Sequence, residues 1–203
     1  MYLNINEKEQ IQEEIKTLET KSSAELVAVI TKYSSSYRFE TLVFSLLISV
    51  FISIILLFAD IDTIKFFQIQ VLSFFALFFL TSGFKKILLT FLPKKYKYEK
   101  ASINAKKEFY NLGIKDTKTK LGIMFYVSIE EKYVEIITDT GIKSKISDNY
   151  WQDIVNEFIK DVKNNQFSIG YKKAIKECSE TLIKSFPIQE NDKNELSNEV
   201  IEL

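Results

Sequence analysis

The stretch KLGIMFYVSIEEKYVEIITDTGI, residues 120–142, contains two apolar runs separated by a short charged turn. Residues 121–129 are almost continuously apolar, which is typical of a central strand covered on both faces. After the turn EEK, the run YVEIIT predicts a second strand that pairs with the first. The sequence Asp-Thr-Gly then ends this strand. A strand hairpin is therefore the predicted centre of the fold.

Helical patterns flank this hairpin on both sides. Residues 98–113 predict a helix that Gly113 ends, and residues 149–164 and 168–186 predict two amphipathic helices downstream. At the start of the chain, residues 6–21 predict a short helix that Asn6 caps, with Glu9 completing a capping box. A short apolar strand, residues 24–33, follows it.

Two uncharged apolar stretches, residues 41–59 and 66–84, stand between that first strand and the rest of the soluble part. Each is about nineteen residues long and would span about 28 Å as a helix, close to the hydrocarbon thickness of a bilayer. Few residues connect them, so the sequence predicts a transmembrane helical hairpin. Residues 84–92 either extend the second helix or lie along the membrane surface until Pro93.

Lysine and arginine residues predict the orientation of this hairpin. Lys32 and Arg38 precede the first apolar stretch, and Lys65 is the one basic residue between the two. A basic run follows the second stretch and includes Lys85, Lys86, Lys94 and Lys95. We therefore expect a two-helix protein of the bacterial inner membrane with both termini in the cytoplasm. We also expect this basic run to contact anionic lipid headgroups.

The strand at residues 24–33 cannot bury both of its faces alone, and pairing beside residues 122–127 would solve this. The predicted fold class is therefore α/β, a small mixed sheet sandwiched by helices and interrupted by the transmembrane hairpin. The predicted divisions are residues 1–38, the first part of the domain, and residues 39–92, the hairpin. Residues 93–187 complete the domain, and the acidic residues 188–203 are predicted to be a mobile tail.

Several stretches together resemble the TPM domain family, in its bacterial members that carry a transmembrane hairpin. They are TLETKSSAELVAVI (17–30), the run from Ala105 to Ile142, Trp151, and a helix pair ending LIKSFP (182–187). The resemblance covers residues 5–38 and 98–187. It implies an α/β sandwich with a small sheet between helices. Members of the family include lumenal photosystem-repair proteins, to which acid phosphatase activity is attributed, and receptor auxiliary proteins.

Charge and composition limit the possible chemistry. The 27 basic and 27 acidic residues balance, so no net charge favours nucleic acid as a partner. The chain has no histidine, which removes the usual general base and the Ser-His and Cys-His nucleophile pairs. The single cysteine, Cys178, lies in a predicted buried helix face and cannot form an internal disulfide.

Asp139 has three interpretations at the level of sequence. Asp-Thr-Gly is found in aspartic-protease loops, but that chemistry needs two such loops, so it would require a homodimer. Alternatively, Asp139 joins Glu25, Asp116 and Asp148 in binding a divalent cation such as Ca²⁺ or Mg²⁺, which would permit metal-assisted hydrolysis of phosphate esters. In the third interpretation Asp139 and Gly141 form a turn, Asp148 or Ser147 caps a helix, and Glu25 and Asp116 are solvated.

Tyr150 and Trp151 form either an exposed recognition surface or the part of a helix that packs on the sheet. The predicted function is a membrane-tethered cytoplasmic interaction module that assists assembly, maintenance or regulation of a membrane complex. Its partners are then the lipid bilayer and another membrane protein or complex, not nucleic acid. The alternative function is a divalent-metal-dependent phosphatase that uses the acidic residues around Asp139.

Overall fold

The computed structural model describes residues 3–59, 61–164, 166–190 and 192–203, and the chain divides into two compact units. One unit comprises residues 1–34 and 99–203, and the other comprises residues 35–98. The strands are β1 (Glu25–Thr31), β2 (Gly122–Ser128), β3 (Tyr133–Thr138) and β4 (Ile201–Glu202). The helices are α1 (Ile5–Glu19), α2 (Arg38–Leu56), α3 (Thr63–Gly83), α4 (Lys85–Phe91), α5 (Lys94–Asn111), α6 (Thr140–Lys143), α7 (Asp148–Lys163) and α8 (Phe167–Ser185).

The first unit is built around a mixed four-stranded sheet in the order β3-β2-β1-β4. β1 and β2 are parallel over their whole length, from Glu25 opposite Gly122 to Thr31 opposite Ser128. β2 and β3 form the antiparallel hairpin, and β4 is parallel to β1. The predicted α/β class and small mixed sheet are thus confirmed. The early strand pairs with the later hairpin although residues 35–98 lie between them in sequence.

α1, α7 and α8 pack on one face of the sheet. Phe125 is at the centre of this layer, and its ring meets those of Phe158 and Tyr171 edge-on at centroid distances of 5.4 and 5.0 Å. Edge-to-face pairs add about 0.5–1.5 kcal/mol beyond the burial of apolar area. Because β2 contributes to both faces, it is buried at every residue, as a central strand should be.

The opposite face of the sheet packs against α5 and the 3₁₀ turn Ile114–Asp116. Val27, Met124 and Tyr126 belong to this smaller cluster. The phenol oxygen of Tyr126 accepts a hydrogen bond from the side-chain amide of Asn104 at 2.9 Å, so its polar end is satisfied although the ring is buried. The sheet is therefore sandwiched by helices, as predicted.

Two details of this unit lie beyond the sequence expectations. Residues 188–203, expected to be a mobile tail, end in the short strand β4, where Ile201 and the half-buried Leu196 and Val200 make apolar contacts beside β1. The cap of α1 is Asn4, not Asn6: Asn4 accepts the Glu7 N–H at 2.8 Å and donates its own N–H to the Glu7 carboxylate at 2.7 Å.

The second unit contains α2, α3 and α4. α2 and α3 are both long and apolar enough to cross a membrane. The buried residues of α2 are polar, since Ser45, Ser49 and Ser53 face inward and Ser45 is 3.4 Å from the Thr81 hydroxyl of α3. A break at Phe84 separates α3 from the short helix α4, so residues 85–91 do not continue α3.

Candidate functional site: the sheet edge around Asp139 and Glu25

Asp139 lies immediately after β3, where it caps the short helix α6. One carboxylate oxygen accepts the Thr140 N–H at 2.6 Å, and the Asp139 N–H donates to the carbonyl of Gly122 at 2.9 Å. The side chain is 5% exposed. Its second oxygen, Oδ2, is buried without a hydrogen-bond partner among the described residues. Asp139 therefore has a structural role as a turn and cap, and it retains one unused acceptor.

Glu25 begins β1 on the other side of the same β2 residue, Gly122. Its carboxylate accepts the backbone N–H of Glu195 at 2.9 Å through Oε1, while Oε2 is buried and without a partner among the described residues. Burial raises the pKa of Glu25, and the negative charges of Glu195 and Asp192 raise it further. A carboxylate in this setting is poorly solvated, so any group that offers it a hydrogen bond or a positive charge is favoured.

Gly122 of β2 is the neighbour of Glu25 on one side and of Asp139 on the other. Because adjacent strands are about 4.8 Å apart, the Cα atoms of Glu25 and Asp139 are about 10 Å from each other. The space above Gly122 is filled by Ile114 of the 3₁₀ turn. A Cβ atom placed on Gly122 would lie 2.5 Å from the Ile114 carbonyl oxygen and 2.6 Å from Cγ2. An apolar side chain and a backbone carbonyl therefore occupy the position between the two acids.

The structure does not gather the four predicted acids into one set of ligands. Asp116 is exposed on the 3₁₀ turn. The pKa of the neighbouring Lys115 ammonium is raised, first by its hydrogen bond to Tyr110 and to a smaller extent by the charges of Asp139 and Asp116. Asp148 is exposed at the first residue of α7, and Ser147 occupies the cap position. Within the described ranges, no group of three or more acidic or thiol side chains could hold a metal ion.

A different acidic cluster, which the sequence analysis missed, surrounds the start of β1. Glu19, at the end of α1, has a pKa of about 7 because burial destabilises its charged form and the charge of Glu25 adds to that effect. Asn194 donates to its Oε2 at 2.5 Å, while Oε1 has no partner among the described residues. Residues 192–198 are close to both acids, but their polar composition gave no sign of this contact in the sequence.

Trp151 is buried in the larger core cluster, 2% exposed, so it packs on the sheet instead of forming a recognition surface. Tyr150 is more exposed, at 37%, and its hydroxyl is hydrogen-bonded to the Thr181 hydroxyl of α8. The two rings contact each other edge-on at 5.3 Å. The aromatic pair therefore joins α7 to α8, and only Tyr150 offers surface to solvent.

The basic residues expected at the membrane surface lie at two helix starts. Lys85 and Lys86 open α4, and Lys94 and Lys95 open α5 after Pro93. The ammonium of Lys94 is 4.9 Å from the centre of the Tyr98 ring, a cation–π distance. Amphipathic lysine and tyrosine side chains of this kind are common at membrane interfaces.

Comparison with known proteins agrees with this architecture. The family model described as the TPM domain matches residues 90–181. The resemblance seen in the sequence is therefore confirmed over these residues, which are similar to the TPM domain. Residues 25–31, which lie outside that match, form β1 of the same sheet.

A solved structure with a similar fold is the NMR structure of the BA42 protein from the psychrophilic bacterium Bizionia argentinensis. It is 20% identical in sequence, with a TM-score of 0.60, and the alignment covers 100% of this chain and 97% of that chain. At this identity the likeness shows the fold alone. Among curated proteins, no sequence matches this chain.

Proposed function

We propose that the protein is a membrane-tethered interaction module, in which α2 and α3 cross the bilayer and the TPM-type unit binds another membrane protein from the cytoplasmic side. Such a module would assist the assembly, maintenance or regulation of its partner. The role belongs to the first unit, and the hairpin restricts its partners to those at the membrane.

The burial pattern of α2 supports the membrane tether, because it is the opposite of the pattern in a helix of a soluble protein. Its buried residues include Ser45, Ser49 and Ser53, whereas its exposed residues include Leu46, Leu47, Phe51 and Ile54. A soluble protein rarely exposes so large an apolar surface, because burying it is worth about 25 cal/mol per Å². In lipid the same pattern is favourable, and small polar residues let two helices approach closely.

The strand pairing supports a single location for the soluble part. β1 precedes the hairpin and β2 follows it, yet the two are hydrogen-bonded along seven register positions. Both ends of the hairpin therefore emerge on the side of the bilayer where the sheet folds. The surplus of Lys and Arg outside the loop between α2 and α3 favours the cytoplasm for that side.

The geometry around Asp139 does not favour hydrolysis as the role of the first unit. Asp139 and Glu25 are each engaged by backbone N–H groups, and Ile114 occupies the space between them. A two-carboxylate metal site for phosphate ester hydrolysis would need open space at that position. The phosphatase alternative is tested by assaying the full chain on a generic phosphate ester with Mg²⁺, Mn²⁺ or Ca²⁺, beside Asp139→Asn. Metal-dependent turnover that the substitution abolishes would replace the interaction module.

Crosslinking in native membranes tests the interaction directly. The tagged full chain is crosslinked, and its covalent partners are identified by mass spectrometry. A matched variant, Phe125→Asp, places a charge at the centre of the larger core cluster but leaves the hairpin unchanged. We expect a recurrent membrane-protein partner with the wild type that disappears with the variant. Identical crosslinks from both chains would mean that the folded sheet contributes nothing.

A further inference from the structure

The outer edge of β1 pairs with another strand over only part of its length. On its inner side β1 pairs with β2 at seven positions, while on its outer side β4 pairs with it at only two, Val29 with Ile201 and Ile30 with Glu202. We call residues 192–203 the C-terminal strap. Every residue of β1 is buried, but the backbone groups beyond these two positions can pair with another extended segment once the strap moves away.

The strap makes apolar contacts at the end that contains β4, and its other end lies beside the acidic residues Glu19 and Glu25. Ile201 packs in the smaller cluster and Val200 against the larger one. The N–H of Leu203 donates to the carbonyl of Ile30 at 3.0 Å. The Glu202 carboxylate is 2.9 Å from the ammonium of Lys8 on α1, an ion pair that orients the end of the strap.

The other end of the strap carries acidic residues that repel the carboxylate of Glu25. Asn194 and the backbone of Glu195 donate to the carboxylates of Glu19 and Glu25. However, the strap also brings the carboxylates of Asp192 and Glu195 close enough to act unfavourably on Glu25. Five strap residues are partly buried, namely Asp192, Leu196, Asn198, Val200 and Ile201. The other residues of the strap are exposed. The edge therefore suits a segment with the same apolar and hydrogen-bonding groups but without these two acids.

We propose that the outer edge of β1 is a strand-addition site for an extended segment of the partner protein, and that the C-terminal strap competes with this partner for it. The partner segment runs parallel to β1, with apolar residues where the strap has Val200 and Ile201, an acidic residue opposite Lys8, and neutral or basic residues opposite Glu19 and Glu25. Main-chain hydrogen bonds supply affinity in this mode of recognition, and the flanking side chains supply specificity. This inference rests on the proposed interaction function and deepens it.

A synthetic peptide of residues 192–203 provides a probe for the site. Its binding is measured by fluorescence anisotropy to the purified full chain in detergent and to the double variant Val200→Asp/Ile201→Asp, whose strap is released. We expect the released variant to bind the wild-type peptide about tenfold more tightly than the wild-type chain does, since the site is then unoccupied. A chain with Glu199→Gln, an exposed position in the same strap, is the matched control and should behave as wild type.

Two peptide changes test the chemistry of the site. A peptide with Asp192→Asn and Glu195→Gln should bind the released variant more tightly than the wild-type peptide, because the repulsion from Glu25 is removed. A peptide with Glu202→Lys should bind poorly, and Lys8→Glu in the released chain should restore its binding. Equal binding of all three peptides, or failure of Lys8→Glu to restore binding, would overturn the proposed recognition.

Hydrogen exchange on the wild-type chain keeps the proposal testable if the released variant does not fold. The Leu203 N–H should exchange through local detachment of the strap, much faster than the amides of β2, and an excess of the neutralised peptide should leave β1 protected while the strap exchanges faster still. If the Leu203 N–H exchanges only as fast as the amides of β2, the proposed competition for the edge of β1 is contradicted. If the released variant does not bind the peptide but the wild-type chain still forms its membrane crosslinks, the strand-addition site alone is refuted. Peptide binding without any recurrent crosslinked partner would instead refute the interaction function.

Discussion

Glu19 shows how a single buried carboxylate makes stability depend on pH. Its pKa is raised from 4.5 to about 7 in the folded chain, first by burial and then by the nearby charge of Glu25. The folded state therefore holds a proton that the unfolded chain releases. The resulting contribution to stability is complete below pH 4.5 and is lost as the pH rises to about 7.

The first prediction concerns Glu19→Gln. Between pH 4.5 and 7 we expect the free energy of unfolding of the wild type to fall more steeply with pH than that of the variant, so that the variant is the more stable at pH 8. Trp151, the one tryptophan of the chain, is buried in the first unit and reports its unfolding by fluorescence. Glu9→Gln, on the exposed side of α1, is the control. Parallel pH profiles for wild type and Glu19→Gln would contradict this account.

The second prediction concerns Glu131, a buried carboxylate in the turn between β2 and β3. It accepts the N–H and the hydroxyl of Ser34 at 2.9 and 2.8 Å and the hydroxyl of Ser128 at 2.5 Å. Hydrogen bonds to a buried charge are each worth about 1.5–3 kcal/mol. Glu131→Gln should therefore lower the free energy of unfolding by about 2 kcal/mol in urea titrations followed at Trp151. A loss no greater than that of the neighbouring change Glu130→Gln would show that Glu131 is not the anchor of this turn.

Single residues also show where sequence reasoning reaches its limit. Asn4 and Asn6 both stand three residues before a glutamate, so the capping pattern occurs twice and the sequence does not choose between them. The raised pKa of Glu19 comes from its burial and from the charge of Glu25, and the sequence around Glu19 shows neither of them. The turn at Asp139, in contrast, was predictable because the cap and the turn use local hydrogen bonds.

Among the elements, β2 has a tight packing requirement at its first residue, Gly122. Ile114 fills the space where a side chain would be, and its carbonyl belongs to the backbone, which cannot rotate away. The third prediction is that Gly122→Ala lowers the free energy of unfolding of the first unit by about 1–3 kcal/mol, since overpacking forces the 3₁₀ turn to move. Gly83→Ala is a suitable control, because nothing lies within 4 Å of a Cβ atom there. An unchanged Trp151 transition in both variants would mean that the turn adjusts without cost.

The strands differ in how well the sequence predicts them. β1 was paired correctly with β2 because a strand that is apolar at successive positions needs cover on both faces. β4 was missed because it has two residues and follows a polar, acidic segment, so no periodicity marks it. Its position is set by contacts with β1 and α1 that only the folded chain supplies.

For the whole molecule, we propose that a lipid-embedded hairpin interrupts one folded domain. The loop between α2 and α3 must then be on one side of the membrane, and the parts before and after the hairpin together on the other. Cys178 does not interfere with thiol labelling, since it is fully buried and burial raises the pKa of its thiol. New cysteines at positions that are not buried can therefore report sidedness against a quiet background.

The most direct test is labelling of single-cysteine positions in bacterial cells with a membrane-impermeant maleimide. The variants are Ile61→Cys in the loop between α2 and α3, Glu14→Cys in α1 before the hairpin, and Lys184→Cys in α8 after it. We predict that Ile61→Cys is labelled in intact cells, whereas Glu14→Cys and Lys184→Cys are labelled only after the cells are permeabilised. Labelling of Glu14→Cys and Lys184→Cys from opposite sides, or labelling of all three only after permeabilisation, would contradict the account.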